Sequence, residues 1–401
     1  MPEKKTNKKT TASAKASADE TTVKDVTRAI KPDNKLLLYV RAGGRCEFDG
    51  CNEYLLSHQL THKTINLGQM AHIVAFSEEG PRGKTDKRPA DINNVDNLML
   101  LCHRCHKLVD DHPEEYSRET LLNYKKAHEE RIFWLTSASP DRQTSVVVLK
   151  SKIGGQTVKL SAAEIHEAVS PRYPASRAGT TIDLSEIKDE GDDFYSVAAK
   201  RIKHKIERVV SDVIEEEKTN HVSLFALAPM PLLILAGNLL GNKIPTDLFQ
   251  RHRDAENWTW KTDGRLAEYK FEKIREVTND DKVALVLSLS GKIHLEKLPS
   301  EVVEDASVYE ITLDGTSPNP GFLRQKQDLT AFKDIYQLAL REIGSNHGKL
   351  EKLHLFPAVP APVAVLCGRE LMPKIDPILA IYDDDKRHGG YRMILEANKY
   401  D

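Results

Sequence analysis

The sequence lacks the long apolar runs of a membrane protein. Hydrophobic residues make up 40% of the 401 residues, but no stretch reaches the roughly 20 consecutive apolar residues of a membrane-spanning helix. The first residues also lack the apolar segment of a secretory signal. We therefore expect a cytoplasmic protein of two or three domains, with no membrane partner.

Cysteine is scarce and unevenly placed. Four of the five cysteines fall within residues 46 to 105, and only Cys367 lies beyond them. Disulfide frameworks belong to oxidising compartments, so this clustering indicates a metal site instead. The sequence also has no excess of basic residues, and its net charge is -2. Any contact with nucleic acid must therefore come from local patches.

The N-terminal tail is the local exception in charge. Against Glu3 alone, residues 1–16 carry five lysines, which are Lys4, Lys5, Lys8, Lys9 and Lys15. We predict that residues 1–33 form a disordered basic tail. Such a tail either solubilises the chain or tethers it to DNA, since lysine-rich segments bind phosphate without specificity.

Changes in composition divide the rest of the chain into two predicted domains and a linker. Helical spacing in NKLLLYVRAGGR predicts that order begins near Asn34, and LTSASPDRQTS at 135–145 is typical of a linker. We predict an N-terminal domain over 34–134, a linker over 135–147 and a second domain over 148–401. In the second domain, VVVLK and QTVKL predict a hairpin around Gly154, and FYSVAAKRIKHKIERVVSDVIEEE predicts a long helix.

Two apolar segments of the second domain resemble each other. LFALAPMPLLILAGNLL at 224–240 aligns without gaps with LFPAVPAPVAVLCGREL at 355–371, with identities that include Pro229/Pro360 and Gly237/Gly368. Each copy predicts a strand, a turn containing proline, and a helix. We predict a duplicated α/β unit whose turns at 228–231 and 359–362 face one pocket. The alternative is a coincidental likeness between two apolar segments.

The cysteine spacing predicts a closed zinc site. Cys46 and Cys51 bracket one knuckle, and Cys102 and Cys105 form a C-x-x-C pair about fifty residues later. Four thiolates complete a tetrahedral Zn²⁺ and leave no open position, so this metal would stabilise the fold. The alternative is four buried free cysteines.

The segments GQMAHIVAF and NNVDNLMLLCHRCHKLVDD carry a second pattern. A histidine ends a predicted strand, and N-L-x-x-L-C-x-x-C-H then leads into a predicted helix. Over about residues 36–133 this resembles the HNH, or ββα-metal, endonucleases, and it implies an α+β nuclease domain. The matching residues are His72, Asn97, Cys102, Cys105 and His106.

The resemblance implies a role for each polar residue. His72 would be the general base that takes a proton from water, with its ring held by Asn97. His106 and Asp110, four residues apart on one helix face, would hold the catalytic Mg²⁺, with Mn²⁺ or Ni²⁺ as alternatives. Many HNH enzymes have a metal ligand directly before the base, where this chain has Ala71.

The loop after the predicted catalytic strand is basic. It contains Arg82, Lys84, Lys87 and Arg88. We predict that these residues grip the DNA backbone. A solvated charged loop is the alternative.

The second domain resembles the SAVED domain, a fusion of two CARF-like, Rossmann-like units that bind cyclic oligonucleotides in bacterial antiphage signalling (CBASS). The residues that carry this resemblance are the two repeated segments, the NWTW run at 257–260 and the final PILAIYD. Together with the HNH module, they make the chain similar to the HNH-SAVED effector nucleases of CBASS.

A cyclic nucleotide needs aromatic planes for its bases and donors for its phosphates. Trp258 and Trp260 alternate along a predicted strand and are candidates for stacking, with burial in the core as the alternative. The full set of predicted ligand-binding residues is Pro229, Met230, Arg251, His252, Trp258, Trp260, Ser288, Ser290, Gly291, Pro357, Ala358 and Pro360.

The resemblance therefore implies a bacterial endonuclease that cuts double-stranded DNA when a cyclic dinucleotide of the cGAMP type binds. It also implies a homo-oligomer, from dimer to tetramer, on activation. One alternative is a constitutive HNH restriction-type enzyme with a C-terminal DNA-recognition domain. Another is a non-enzymatic zinc module that binds nucleic acid, which Ala71 favours.

Overall fold

The computed structural model describes residues 29–84, 88–152, 158–176, 179–187, 193–214, 219–277, 282–385 and 390–399. By internal contacts the chain divides into two compact units, residues 1–137 and 138–401. Among the described helices, none combines the length and the apolar character needed to cross a membrane. Most of the predicted basic tail lies outside the described residues.

The N-terminal unit is a small ββα arrangement with two flanking helices. Its elements are α1 (Pro32–Arg41), β1 (Gln69–His72), β2 (Leu98–Leu101), α2 (His103–Asp111) and α3 (Arg118–Thr136). Strands β1 and β2 pair antiparallel, with His72 opposite Leu98. All four residues of β2 are buried, and with Leu38 of α1 they form the centre of a small core. Strands this short are marginal without further support.

The first half of the C-terminal unit is a parallel sheet with helices. Its elements are β3 (Gln143–Lys150), α4 (Ala162–Val169), β4 (Tyr173–Pro174), β5 (Thr180–Asp183), α5 (Asp193–Ile214), β6 (Val222–Leu227), α6 (Met230–Leu240) and β7 (Thr246–Phe249). The strand order is β4-β3-β6-β7, and β5 also pairs with β3. Helix α5 fulfils the prediction of a long helix.

The second half of the C-terminal unit is also a sheet with helices, but the two edge strands of its sheet are antiparallel to their neighbours. Its elements are β8 (Tyr269–Arg275), β9 (Val283–Ser288), α7 (Ser300–Val303), β10 (Ser307–Leu313), α8 (Lys326–His347), β11 (Lys352–Ala358), α9 (Ala361–Arg369), β12 (Ile378–Asp385) and β13 (Gly390–Ala397). The strand order is β13-β12-β11-β9-β10-β8, with β13 and β8 antiparallel to their neighbours. The four central strands are parallel, and their centres are apolar and buried, as expected for strands covered on both faces.

The predicted duplication is confirmed by the elements and by their packing. Both copies form a buried strand, a turn and a helix, with Pro229 and Pro360 as the N-cap residues of α6 and α9. The two helices pack against each other at the equivalent glycines. A Cβ atom on Gly237 would lie 1.9 Å from the carbonyl oxygen of Val365, and one on Gly368 would lie 1.8 Å from that of Ile234.

The structure corrects two predictions about the start of the second unit: the hairpin, and the C-terminal bound of the linker. The boundary between the two units, at residues 137 and 138, does fall within the predicted linker. The hairpin turn around Gly154 lies outside the described residues, as do residues 156 and 157. Residues 158–160 are not a strand, and among the described strands the partners of β3 are its parallel neighbours β4, β5 and β6. Both edges of β3 are occupied, so no hairpin partner can pair with it. Strand β3 begins at Gln143 and therefore includes part of the predicted linker 135–147.

We expect Gly237→Ala and Gly368→Ala each to lower the free energy of unfolding of the C-terminal unit by at least about 2 kcal/mol, because a methyl group would force the helix backbones apart. Denaturant unfolding measures this change. Gly344→Ala is the matched control, since Gly344 occupies an exposed position of α8 where a Cβ atom would meet no atom of the described residues within 4 Å. The control should be neutral or stabilising by up to about 1 kcal/mol. Equal stability of all three variants would refute the close crossing.

Candidate metal centre and active site

The four clustered cysteines converge on one point. Their sulfur atoms all lie within 4.8 Å of one another, and the Sγ atoms of Cys51 and Cys102 are 4.0 Å apart. Four sulfurs bound to one Zn²⁺ at about 2.3 Å would be separated by about 3.8 Å, so the cluster fits a tetrahedral zinc ion. Burial raises the pKa of Cys46 to about 12. A bound cation would supply the charge that keeps such a thiol deprotonated.

A buried carboxylate ties the first knuckle to strand β2. The backbone N–H of Leu100 donates to Oε2 of Glu47 at 2.5 Å, and the N–H of Glu47 donates to the carbonyl of Leu100 at 2.9 Å. Glu47 follows Cys46, and β2 leads directly to Cys102. The two cysteine pairs are therefore held together by the protein as well as by any metal. Burial raises the pKa of Glu47 to about 7.

His72 ends β1, and its ring contacts a residue that the sequence interpretation did not select. Nε2 of His72 lies 2.9 Å from Oδ1 of Asn93, whose side chain is buried. With the amide oxygen as acceptor, Nε2 carries the proton and Nδ1 carries the lone pair. A fixed ring with a free lone pair is what a general base requires.

The predicted role of Asn97 as the partner of the His72 ring is wrong. Oδ1 of Asn97 accepts from the N–H of Val74 at 3.0 Å, and Nδ2 donates to the carbonyls of Val74 (3.0 Å) and Ile92 (2.9 Å). Both amide hydrogens are used, so neither can reach the imidazole. Asn97 instead fixes the backbone that follows His72, and Asn93 orients the ring.

His106 and Asp110 lie together on α2, as their spacing predicts. Nε2 of His106 is 3.3 Å from Oδ2 of Asp110, and both side chains are partly exposed. Two ligands in adjacent octahedral positions, each about 2.1 Å from an ion, are about 3 Å apart, so the pair fits a divalent cation such as Mg²⁺ or Mn²⁺. Ala71 is buried on the opposite side of β1 from His72 and provides no ligand.

The loop after β1 does not present its arginines to DNA. The side chain of Arg82 is only 6% exposed and bonds to the carboxylate of Asp110. Arg88 donates to the carbonyls of Ala75, Phe76 and Gly83. Both guanidinium groups bind the protein itself, so the prediction that they grip phosphate is wrong. Lys84 is exposed, and Lys87 lies outside the described residues.

The predicted stacking residues do not form one ligand surface. Trp258 is 3% exposed and packs edge-on against Phe225, so it is a core residue, and the NWTW run is not a strand. His252 is buried beside Trp260, and Arg251 lies 3.9 Å from Glu256. Trp260 donates from Nε1 to the carbonyl of Leu248 and lines a cavity of about 490 Å³ near the start of β7.

The other predicted ligand residues lie at the carboxyl ends of parallel strands. The N–H groups of Leu289 and Ser290 donate to the carbonyl of Ala358 at 3.1 and 2.7 Å, which joins the loop after β9 to the end of β11. The Ser288 hydroxyl is buried and accepts from the N–H of Ile293. The remaining members of this group are Gly291, Pro357 and Pro360, while Pro229 and Met230 begin α6.

Two family models match the chain. Residues 46–112 match the HNH endonuclease family, and residues 202–396 match the SMODS-associated and fused to various effectors sensor domain, abbreviated SAVED. The chain therefore joins an HNH endonuclease domain to a SAVED sensor domain. The HNH domain supports nuclease activity on nucleic acid.

Comparison with solved structures finds matches at low identity. The Cap4 SAVED/CARF-domain containing receptor of Acinetobacter baumannii with the cyclic trinucleotide 3'3'3'-cAAA is 14% identical, with a TM-score of 0.42, and the match covers 77% of this chain and 64% of that one. The receptor of Moraxella osloensis is 13% identical, with a TM-score of 0.38, and the match covers 73% and 60%. This chain thus spans less than two thirds of either structure. No curated protein matches the chain.

We expect one zinc ion per chain, bound by the four cysteines. Cys105→Ser should lose the zinc and unfold the N-terminal unit, because its core is small and its strands are short. Elemental analysis and thermal unfolding measure the two effects. Cys367→Ala, outside the cluster, should retain the zinc. A zinc content unaffected by Cys105→Ser would rule out this site.

We expect Asn93→Ala to lower the rate of nucleic-acid cleavage by about 10- to 100-fold, because the His72 ring loses its orienting acceptor. Asn94→Ala is the matched control, since Asn94 is exposed and its side chain accepts from the N–H of Asp96, its one partner among the described residues. Rates are compared under conditions in which the wild-type chain cleaves. Equal rates for the two variants would show that Asn93 does not orient the base.

Proposed function

We propose that the chain is a CBASS-type effector nuclease of the bacterial cytoplasm, in which a cyclic oligonucleotide bound to the SAVED domain activates cleavage of double-stranded DNA by the HNH domain. The observation that carries this proposal is the site at the ends of β1 and α2. There an oriented His72 and the His106–Asp110 pair are built into the same chain as a sensor domain.

The residues of the site divide the hydrolysis between them. His72 would accept a proton at Nδ1 from the attacking water, because Asn93 occupies Nε2. His106 and Asp110 would hold a divalent cation, Mg²⁺ or Mn²⁺, which supplies positive charge for the scissile phosphate. Asn97 keeps His72 in place through the backbone of residues 73 and 74. The zinc cluster stabilises the unit and takes no part in the chemistry.

The ligand site that we propose lies at the carboxyl ends of β9 and β11 and at the starts of α6 and α9. Backbone N–H groups at the N-terminus of a helix bind phosphate, and α6 and α9 begin at equivalent prolines. The loop at 288–291, bonded to Ala358, adds small polar groups beside α9. A cyclic dinucleotide, which carries two phosphates, matches two such helix ends.

Gating follows from the need to protect the host's own DNA. A nuclease in the cytoplasm must be inactive by default, so the ligand has to bind the active arrangement more tightly than the inactive one. We propose that the active arrangement is a homo-oligomer, from dimer to tetramer, because two HNH sites are needed to cut both strands at one place.

The test is a cleavage assay on plasmid DNA with Mg²⁺ or Mn²⁺, with and without a panel of cyclic di- and trinucleotides. We expect cleavage only when one of the cyclic nucleotides is added, and none by His72→Ala, which should still bind that nucleotide. Cleavage without any added nucleotide would identify a constitutive nuclease. Nucleotide binding without cleavage in either metal would identify a sensor that is not an enzyme.

A further inference from the structure

The buried guanidinium group of Arg82 connects the residue after β1, the strand that ends at His72, to α2, the helix that carries His106 and Asp110. Nε of Arg82 donates to the carbonyl of Ile73 at 2.8 Å, directly after His72. Nη1 donates to the carbonyl of Val109 at 2.7 Å, and Nη2 donates to Oδ1 of Asp110 at 3.4 Å. All three nitrogen atoms of the side chain therefore have partners in the site.

Arg82 also donates hydrogen bonds to carbonyl groups at and after the C-terminal end of α2. The last carbonyls of a helix have no partners within the helix, and Val109 lies in the last turn of α2. Arg82 reaches this carbonyl and, at 3.4 Å, the carbonyl of Tyr116 in the turn that follows. A cation at this end of a helix is also favoured by the helix dipole.

Because the guanidinium group of Arg82 is buried, it needs the carboxylate of Asp110 as a partner. A guanidinium group with 6% exposure loses most of its hydration, and a buried charge is tolerated only when it is paired. Asp110 supplies that charge through Oδ1. Its second oxygen, Oδ2, is left 3.3 Å from Nε2 of His106. The two oxygens of one carboxylate thus have separate partners.

We propose that Arg82 is a positioning residue of the nuclease site, which holds Asp110 so that Oδ2 and Nε2 of His106 together receive the divalent cation. The proposal rests on the proposed function and deepens it. Arg82 contacts neither substrate nor cation in this role. This role requires arginine because its guanidinium group carries several N–H donors in a rigid planar arrangement. A lysine ammonium group cannot reach the carbonyl of Ile73 and the carboxylate of Asp110 at once.

The test measures Mn²⁺ binding to the zinc-loaded full chain by calorimetry, without substrate. We expect Arg82→Gln and Arg82→Lys each to weaken Mn²⁺ binding by about 10- to 100-fold, the usual effect of losing a group that orients a metal ligand. Asp110→Asn should weaken it at least as much. Adding Arg82→Gln to Asp110→Asn should then cause little further loss, because Arg82 acts through Asp110.

Lys107→Gln is the matched control. Lys107 forms an exposed ion pair with Asp111 at 2.6 Å, one position along the same helix, so its loss removes a nearby charge without touching the metal pair. We expect its Mn²⁺ affinity to equal that of the wild-type chain. Zinc content and thermal unfolding show which variants are folded, and Arg82→Lys keeps the charge if Arg82→Gln does not fold.

The outcomes separate this proposal from the proposed function. Wild-type Mn²⁺ affinity in folded Arg82→Lys would overturn the positioning role. Wild-type affinity in Asp110→Asn would overturn it whatever the Arg82 variants do, and so would a wild-type chain that binds no Mn²⁺. Mn²⁺ binding that depends on Arg82, in a chain that cleaves no DNA with any cyclic nucleotide, would support the positioning role and reject only the proposed function.

Discussion

The C-terminal unit depends on a close approach of two helix backbones. Gly237 of α6 faces the carbonyl of Val365, and Gly368 of α9 faces the carbonyl of Ile234. The contact is reciprocal, so a side chain at either position would separate both helices. Each helix also reaches the other half, because α6 contacts β12 and β13 while α9 contacts β6. The two sheets are therefore joined into one core through these helices.

In the N-terminal unit, side-chain hydrogen bonds supplement a small apolar core. Its strands have four residues each, and the described part of the segment between them, residues 73–84 and 88–97, has little regular structure. That segment is fixed instead by side chains that bond to backbone carbonyls and N–H groups, chiefly those of Asn97, Arg82 and Arg88. The position of His72 thus depends on hydrogen bonds from residues distant in sequence. Such networks are sensitive to the loss of any one member.

The sequence was most informative where spacing alone determines geometry. The cysteine knuckles and the i, i+4 pair of His106 and Asp110 follow from local chain geometry, and the structure brings both sets together. The duplicated segments were equally predictable, because apolar periodicity and the positions of proline and glycine survive in both copies. Spacing in the sequence thus predicted both the buried faces of the duplicated segments and the residues proposed as metal ligands.

The sequence was least informative in irregular segments. Three asparagines, at 93, 94 and 97, precede β2, and only the path of the loop determines that Asn93 reaches His72. The basic composition of the loop predicts that Arg82 contacts DNA, yet the loop folds back onto α2. Trp258 was expected on a strand, but residues 251–268 form none and its ring completes the core. Long-range packing decides each of these cases.

The duplication within one chain has a consequence for molecular symmetry. In a homodimer the two halves of a pocket are identical, and every substitution appears twice. Here the equivalent turns have already diverged, since Met230 follows the first proline while Ala361 follows the second. A cleft between such halves can distinguish one end of its occupant from the other. If the proposed ligand site lies in such a cleft, a molecule made of two unlike nucleotides would have one preferred orientation there, whereas a symmetric pair of subunits would offer two equivalent ones.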